Sequence, residues 1–291
     1  MHKAGFVNII GNPNVGKSTL MNALVGENLS ITTFKAQTTR HRIMGIANGE
    51  DFQIVYSDTP GIVNPHYRLH EQMMSFVYSA LKDADIFLLV TEVGEILKSE
   101  KTLNYIINSK TPVILVINKI DLSAQNIINE KITYWQNTIP RAVVIPCSAT
   151  EMFNLDKIFD AIISLLPENP PYFSKDELTD KSMRFFASEI IREKILLYYN
   201  KEIPYSCEVV IDEYKEKDSI DYISAIIYVE RESQKGILLG YKGNMIKKTG
   251  TQARKNIEKF TGKKCYLNLF IKVKENWRNN DKDLKHFGYE Q

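Results

Sequence analysis

Lys17 and Ser18 close the run Gly11-Asn12-Pro13-Asn14-Val15-Gly16-Lys17-Ser18, a spacing suited to gripping phosphate. Gly11 and Gly16 let backbone N–H groups approach an anion closely, the lysine brings a point charge, and the hydroxyl is a ligand for magnesium. The run follows the apolar stretch Phe6 to Ile10 and opens an amphipathic one that includes Thr19, so a helix N-terminus adds its own partial positive charge. We expect Lys17 to reach the β and γ phosphates of a nucleoside triphosphate and Ser18 to coordinate Mg2+.

Three further motifs follow in order. Asp58-Thr59-Pro60-Gly61 ends an apolar stretch; there a carboxylate holds the magnesium shell through water, and Gly61 offers its N–H to the γ phosphate. Asn118-Lys119-Ile120-Asp121 ends another, and the Asp121 carboxylate can accept the two N–H groups that guanine displays and adenine does not. Cys147-Ser148-Ala149 ends a third, where the Ala149 N–H could meet guanine O6. Together they specify GTP and GDP. Between the first and second lies Lys35-Ala36-Gln37-Thr38-Thr39-Arg40, where a switch segment would close over the γ phosphate. Thr39, with Thr38 as the alternative, is expected to bind magnesium only in the triphosphate state. Small GTPases that orient the attacking water with glutamine carry it directly after the glycine of the third motif; Ile62 stands there, so hydrolysis should be slow. The expected catalytic set is Lys17, Asn14, Thr39 and Gly61.

The elements that must position these residues alternate. Strand-like runs at Phe6 to Ile10, Ile43 to Ala47, Phe52 to Tyr56, Ile86 to Val90, Val113 to Ile117 and Ala142 to Ile145 are separated by helical patterns. That is a doubly wound α/β sheet, in which ligands collect beyond the carboxyl ends of the strands, where all four motifs lie. Pro167, Pro170 and Pro171 end this unit, giving domains 1–172 and 173–291, the latter including a linker.

The second half reads helix, strand, strand, helix, Gly-x-x-Gly, helix, strand, an α+β pattern. Gly240-Tyr241-Lys242-Gly243 between two helices is the backbone clamp of a KH domain, which grips about four nucleotides of single-stranded nucleic acid. Ile246, Gly250, Ala253, Ile257 and Phe260 are spaced as one buried helix face, with Lys247, Lys248, Arg254, Lys255 and Lys259 at exposed positions. The RNA-binding residues expected are Gly240, Tyr241, Lys242, Gly243, Ile246, Lys247 and Lys248. Charge agrees: residues 235–274 carry 11 basic side chains and one acidic, Glu258, although the whole chain is only +2.

Composition excludes other classes. The 291 residues are 44% hydrophobic and 25% charged, ordinary for a folded globular chain, and no apolar run approaches the roughly 20 residues of a membrane span. Three scattered cysteines give no metal-ligand spacing. With no apolar targeting core near Met1, a cytoplasmic location is expected.

Through GNPNVGKS, KAQTTR, DTPG, NKID and CSA the chain resembles the Era family of bacterial GTPases, and the resemblance extends over essentially its whole length. It implies a P-loop GTPase domain followed by a type II KH domain, and slow hydrolysis of GTP. It implies binding to the 3′ end of small-subunit ribosomal RNA in maturation of the small ribosomal subunit, by a monomer loosely associated with the inner face of the membrane. Asn14 matches the asparagine that helps hold K+ against the phosphates in potassium-activated relatives. Two alternatives stay open: a related GTPase with another RNA-linked task, and a constitutive RNA-binding protein using GTP structurally.

Overall fold

Val113–Asn118 is buried at every residue, and Ile86–Glu92 at all but its last. Continuous apolar runs of this kind belong to central parallel strands covered by helices on both faces. The computed structural model describes residues 1–35, 37–95 and 97–289. It divides into two units: Met1–His66 with His70–Asp180, and the residues from Lys181 onward with Tyr67–Leu69.

In the first unit the order is β1 (Lys3–Ile10), α1 (Lys17–Val25), β2 (Ile43–Asn48), β3 (Phe52–Asp58), α2 (Arg68–Lys82), β4 (Ile86–Glu92), α3 (Glu100–Asn108), β5 (Val113–Asn118), α4 (Gln125–Thr138), β6 (Val143–Pro146) and α5 (Leu155–Leu165). The sheet runs β2-β3-β1-β4-β5-β6, all parallel except β2, which is antiparallel to β3. Strand order moves outward in both directions from β1. The crevice beyond its carboxyl end is therefore the topological switch point, and the loop after Ile10 lies in it.

The chain beyond Leu165 stays with this sheet. Gln53 accepts at Oε1 from Tyr172 N and Phe173 N (2.7 and 3.0 Å), Leu178 O accepts from Ile46 N (2.9 Å), and Asp180 Oδ1 accepts from Met44 N (3.0 Å). The segment after the prolines covers the β2 edge, whose backbone groups would otherwise go unpaired. The first unit thus runs to Asp180, beyond the division expected at 172.

The second unit comprises α6 (Met183–Tyr198), β7 (Glu208–Lys215), β8 (Ile220–Val229), α7 (Glu232–Leu239), α8 (Asn244–Thr261), β9 (Lys264–Val273) and α9 (Asp281–His286). Its sheet runs β7-β8-β9, with β8 antiparallel to β7 and parallel to β9. Ile191 and Ile195 of α6, Ile223, Ala225 and Ile227 of β8, and Ala253 and Ile257 of α8 form the core between the helices and one sheet face. The sequence reading did not include α9. It follows Trp277, whose Nε1 donates to Ser206 O (3.1 Å), while Tyr289 donates to Glu208 Oε2 (2.7 Å).

Candidate functional site: a nucleotide pocket and a KH groove

Gly16 precedes α1 with φ 94°, and a Cβ there would stand 2.2 Å from Asn118 Nδ2, so only glycine fits. The loop it completes forms one wall of a cavity of about 480 Å3. Of the expected residues, Pro13, Asn14, Gly16, Lys17, Ser18, Thr19, Thr39, Gly61, Asn118, Lys119, Asp121 and Ala149 line it. Residues separated by more than a hundred positions are thus brought to one place.

Lys17 is buried, its Nζ donating to Gly11 O (3.2 Å) and Asn12 O (2.8 Å). Burial pushes its pKa down to about 8, opposed by Asp58 and Glu95. An ammonium held so poorly solvated is primed to take an anionic partner.

Three oxygens meet beside it. Ser18 Oγ donates to Asp58 Oδ2 (2.6 Å), Thr39 Oγ1 lies 3.1 Å from the same oxygen, and the two hydroxyls are 2.8 Å apart. Asp58 is fully buried with Oδ1 lacking any hydrogen-bond partner; burial raises its pKa, against the charge of Lys17 and the hydroxyl hydrogen bonds. A hard oxygen set with a buried, under-satisfied carboxylate suits Mg2+. Thr39 is the hydroxyl at this junction, while Thr38 only lines the cavity.

The segment carrying Thr39 is pinned at both ends. Upstream, Asn22 donates to Ser30 O (2.9 Å) and accepts from Leu29 N and Ser30 N. Downstream, buried Arg42 donates to Ser57 Oγ (2.6 Å) and pairs with Asp83 (2.6 Å). Between these anchors it contacts the pocket through Thr39, through Asn14 Nδ2 donating to Phe34 O (3.3 Å), and through Gln37 beside His70 (3.0 Å). Ala36 lies outside the described residues. Neither Asn22 nor Phe34 stood out in sequence, the one reading as an ordinary helix position and the other as a loop aromatic.

Several expected contacts have other duties. Asn118 is buried and donates to Val15 O (2.9 Å), and its Oδ1 accepts from Ala149 N (3.0 Å). The Ala149 N–H expected to meet guanine O6 donates here to Asn118, which ties three loops together. Ser148 pairs with Phe153 through its backbone and is not part of the lining, whereas Leu122 and Thr150, which sequence reasoning passed over, are. Asn12 bridges to Glu95 Oε2 (3.0 Å) and Lys98 N (3.1 Å), and Thr59 Oγ1 donates to Ile9 O (2.7 Å). Gly11, Val15 and Pro60 are buried and are not part of the lining. Ile62 is 2% exposed and packs with Ile10, Met74, Val77 and Leu89; Ile120 packs against the same cluster. Lys119 adopts a left-handed backbone and pairs with Glu92 (2.6 Å).

In the second unit the Gly240–Gly243 loop joins α7 to α8, with Gly240, Lys242 and Gly243 all at positive φ. Tyr241 and Lys242 are exposed, and Lys242 Nζ lies 5.4 Å from the Tyr241 ring centroid. The buried face of α8 is Thr249, Ala253 and Ile257. Ile246 and Gly250 are partly buried: Ile246 packs against the core, and both line a groove of about 290 Å3 with Lys247, Thr251, Arg254, Leu267 and Leu269. Glycine at 250 keeps the helix surface low there, since a Cβ would come within 3.1 Å of Leu269. Lys248 is exposed, its Nζ 4.6 Å from the Tyr198 ring centroid.

Comparison with known proteins accords with both halves. Residues 6–119 match the 50S ribosome-binding GTPase family and residues 202–278 match the KH domain family. The chain is 44% identical to GTPase Era of Geotalea daltonii, covering 99% of this chain and 98% of that protein, and 43% identical to GTPase Era of Alkaliphilus metalliredigens, covering 99% of each. The fold superposes with a TM-score of 0.95 on Era in complex with MgGDPNP and nucleotides 1506–1542 of 16S ribosomal RNA, at 36% identity over all of both chains. It superposes with a TM-score of 0.94 on a variant of Aquifex aeolicus Era bound to GDP·AlF4−, at 37% identity over 99% of this chain and all of that one. No helix among the described residues is long and apolar enough to cross a membrane. A P-loop GTPase unit joined to a KH unit, alike over its whole length to these relatives, makes this chain a member of the Era family of GTPases.

Proposed function

We propose that this GTPase binds the 3′ end of small-subunit ribosomal RNA through its KH groove and assists maturation of the small ribosomal subunit. The observation that carries the reading is a nucleotide pocket and a KH groove in one chain that is alike throughout to an Era bound to both MgGDPNP and 16S ribosomal RNA. The family matched by residues 6–119 is described by the large subunit, but that match stops short of the KH unit. The full-length likeness includes it, and supports the small subunit.

In the pocket, Lys17 and the N–H groups of the Gly11–Ser18 loop hold the phosphates, and Asp121 selects guanine. Ser18 and Thr39 would hold Mg2+, with Asp58 acting through water, and the ion would supply positive charge against the phosphates. Loss of the γ phosphate releases Thr39 and with it the segment between Asn22 and Arg42, which is the switch. With Ile62 in the core, no side chain follows Gly61 to orient water, and hydrolysis is slow. Asn14 helps place K+ against the phosphates; equal hydrolysis rates in sodium and potassium would refute this. Gly240, Tyr241, Lys242 and Gly243 clamp the RNA backbone, with Ile246, Lys247 and Lys248 beside them. The protein acts as a cytoplasmic monomer with peripheral contact to the membrane, and its domains divide between the GTPase and KH functions.

The test is to crosslink and sequence RNA bound in cells by the parent chain and by Gly243→Asp, in GTP and GDP states. The expected result is enrichment of small-subunit ribosomal RNA 3′ ends, lost in Gly243→Asp. No enrichment by the parent defeats the assembly reading, and full binding by Gly243→Asp defeats the clamp.

A further inference from the structure

We infer that the outer face of the three-stranded sheet is a second platform for single-stranded RNA, on which bases stack against Tyr222, Tyr266 and Phe270. The inference rests on the KH reading above, and extends the path of the same strand beyond the groove.

β9 is an edge strand with alternating residues on opposite faces. Leu267 and Leu269 face α8 and line the groove, while Tyr266, Asn268, Phe270 and Lys272 face the other way. An RNA strand leaving the groove therefore needs only to turn over one unpaired edge to reach the outer face. There Tyr222 pairs with Tyr266 across β8 and β9 with ring centroids 5.9 Å apart, and Phe270 lies four residues further along, about 13 Å. Tyr266 and Phe270 are 53% and 52% exposed and Tyr222 is 38% exposed.

One end of this face is already covered. Phe287 lies on Tyr228 (5.1 Å) and against Trp277 (5.5 Å), and Tyr289 bonds Glu208, so the C-terminal segment closes the far end. The three rings lie outside that cover, with Asn268 also exposed between Tyr266 and Phe270. Lysines border them: Lys217 Nζ stands 4.6 Å from the Tyr222 ring centroid, and Lys264 and Lys272 share their strand face. Glu213 pairs with Lys215 (2.5 Å), and Glu258, 3.9 Å from Lys264, is held at 2.8 Å by Arg254. Glu216 and Asp218 in the adjoining turn are flanked by Lys215 and Lys217. Exposed rings interleaved with lysines are the chemistry of sequence-tolerant base stacking, whereas protein interfaces, though also rich in aromatic rings, are depleted in lysine.

The test uses the full chain with Mg2+ and GDPNP and two fluorescein-labelled single-stranded RNAs, one of about 6 nucleotides, enough for a KH groove, and one of about 20. Tyr222→Ala with Tyr266→Ala and Phe270→Ala is expected to weaken the long probe about tenfold or more and leave the short probe and GTP hydrolysis unchanged. Tyr222→Phe with Tyr266→Phe keeps the rings and should bind both probes as the parent does. Ultraviolet crosslinking of the long probe should reach Tyr222 or Tyr266. Unchanged long-probe affinity in the triple variant overturns the platform, as does equal weakening of both probes, or a defect seen only in cosedimentation with small subunits, which would assign the face to a protein. Gly243→Asp separates the two readings: it should abolish short-probe binding, and if it leaves the short probe unaffected the groove assignment fails instead.

Discussion

Asn118 offers the sharpest test of how the pocket is built. As a base-contacting residue alone, its loss would weaken nucleotide binding and leave the nucleotide-free fold untouched. The structure instead has it donating to Val15 O (2.9 Å) and accepting from Ala149 N (3.0 Å) at 2% exposure. Asn118→Ala leaves two buried backbone groups without partners, at about 1–3 kcal/mol each, so the cost should be about 2–6 kcal/mol before any nucleotide is present. With a urea m value of about 2 kcal/mol/M, the midpoint falls by about 1–3 M. The chain has two tryptophans, and Trp135 lies in the first unit. A Trp277→Phe background therefore makes fluorescence report on the GTPase unit alone. Asn118→Asp keeps the acceptor for Ala149 but sets a carboxylate against Val15 O, and should be destabilised at neutral pH as well. A midpoint for Asn118→Ala within about 0.3 M of its parent in nucleotide-free protein would refute the staple role.

Three further expectations concern other residues. Lys17 in the free pocket titrates at about 8 and gains anionic partners on binding, so GTP uptake above that pH takes up a proton; affinity should be level below pH 8 and fall by up to tenfold per unit above it, measured by calorimetry, with the dependence absent in Lys17→Met. Ile62→Gln should not raise phosphate release, because the side chain is packed with Met74 and Val77, and should cost roughly 1–3 kcal/mol for the buried amide. Gly240→Ala should destabilise the KH unit more than Gly243→Ala, followed by Trp277 fluorescence: both sit at positive φ, costing about 1–2 kcal/mol, but only at Gly240 would the Cβ meet Met245, at 2.6 Å.

The sheet was legible because its strands are continuous apolar runs, and the motifs because each sits where such a run stops. Thr39 could be preferred over Thr38 but not settled, since adjacent residues of one loop differ only in which way the backbone turns them. Motif position places Asn12, Thr59 and Ala149 near the phosphates or base; it does not announce the bonds that Asn12 makes to Glu95 and Lys98, Thr59 to Ile9 or Ala149 to Asn118. The covering of the β2 edge by residues 173–180 is a long-range pairing with no periodicity to announce it. Ile246 and Gly250 have the spacing of a core face, and only the lie of β9 against α8 turns that part of the stripe into a groove. The C-terminal turn at Trp277 and α9 is too short for a helical period to register.

The proposed function turns on whether the KH groove selects the 3′ end of small-subunit ribosomal RNA. The direct measurement is anisotropy of a labelled oligonucleotide matching the 3′ end of that RNA, against a scrambled sequence, with the full chain in Mg2+ and GDPNP. Tight binding of the matching sequence, weak binding of the scrambled one, and loss in Gly243→Asp are expected. Equal affinity for matching and scrambled sequences would contradict it.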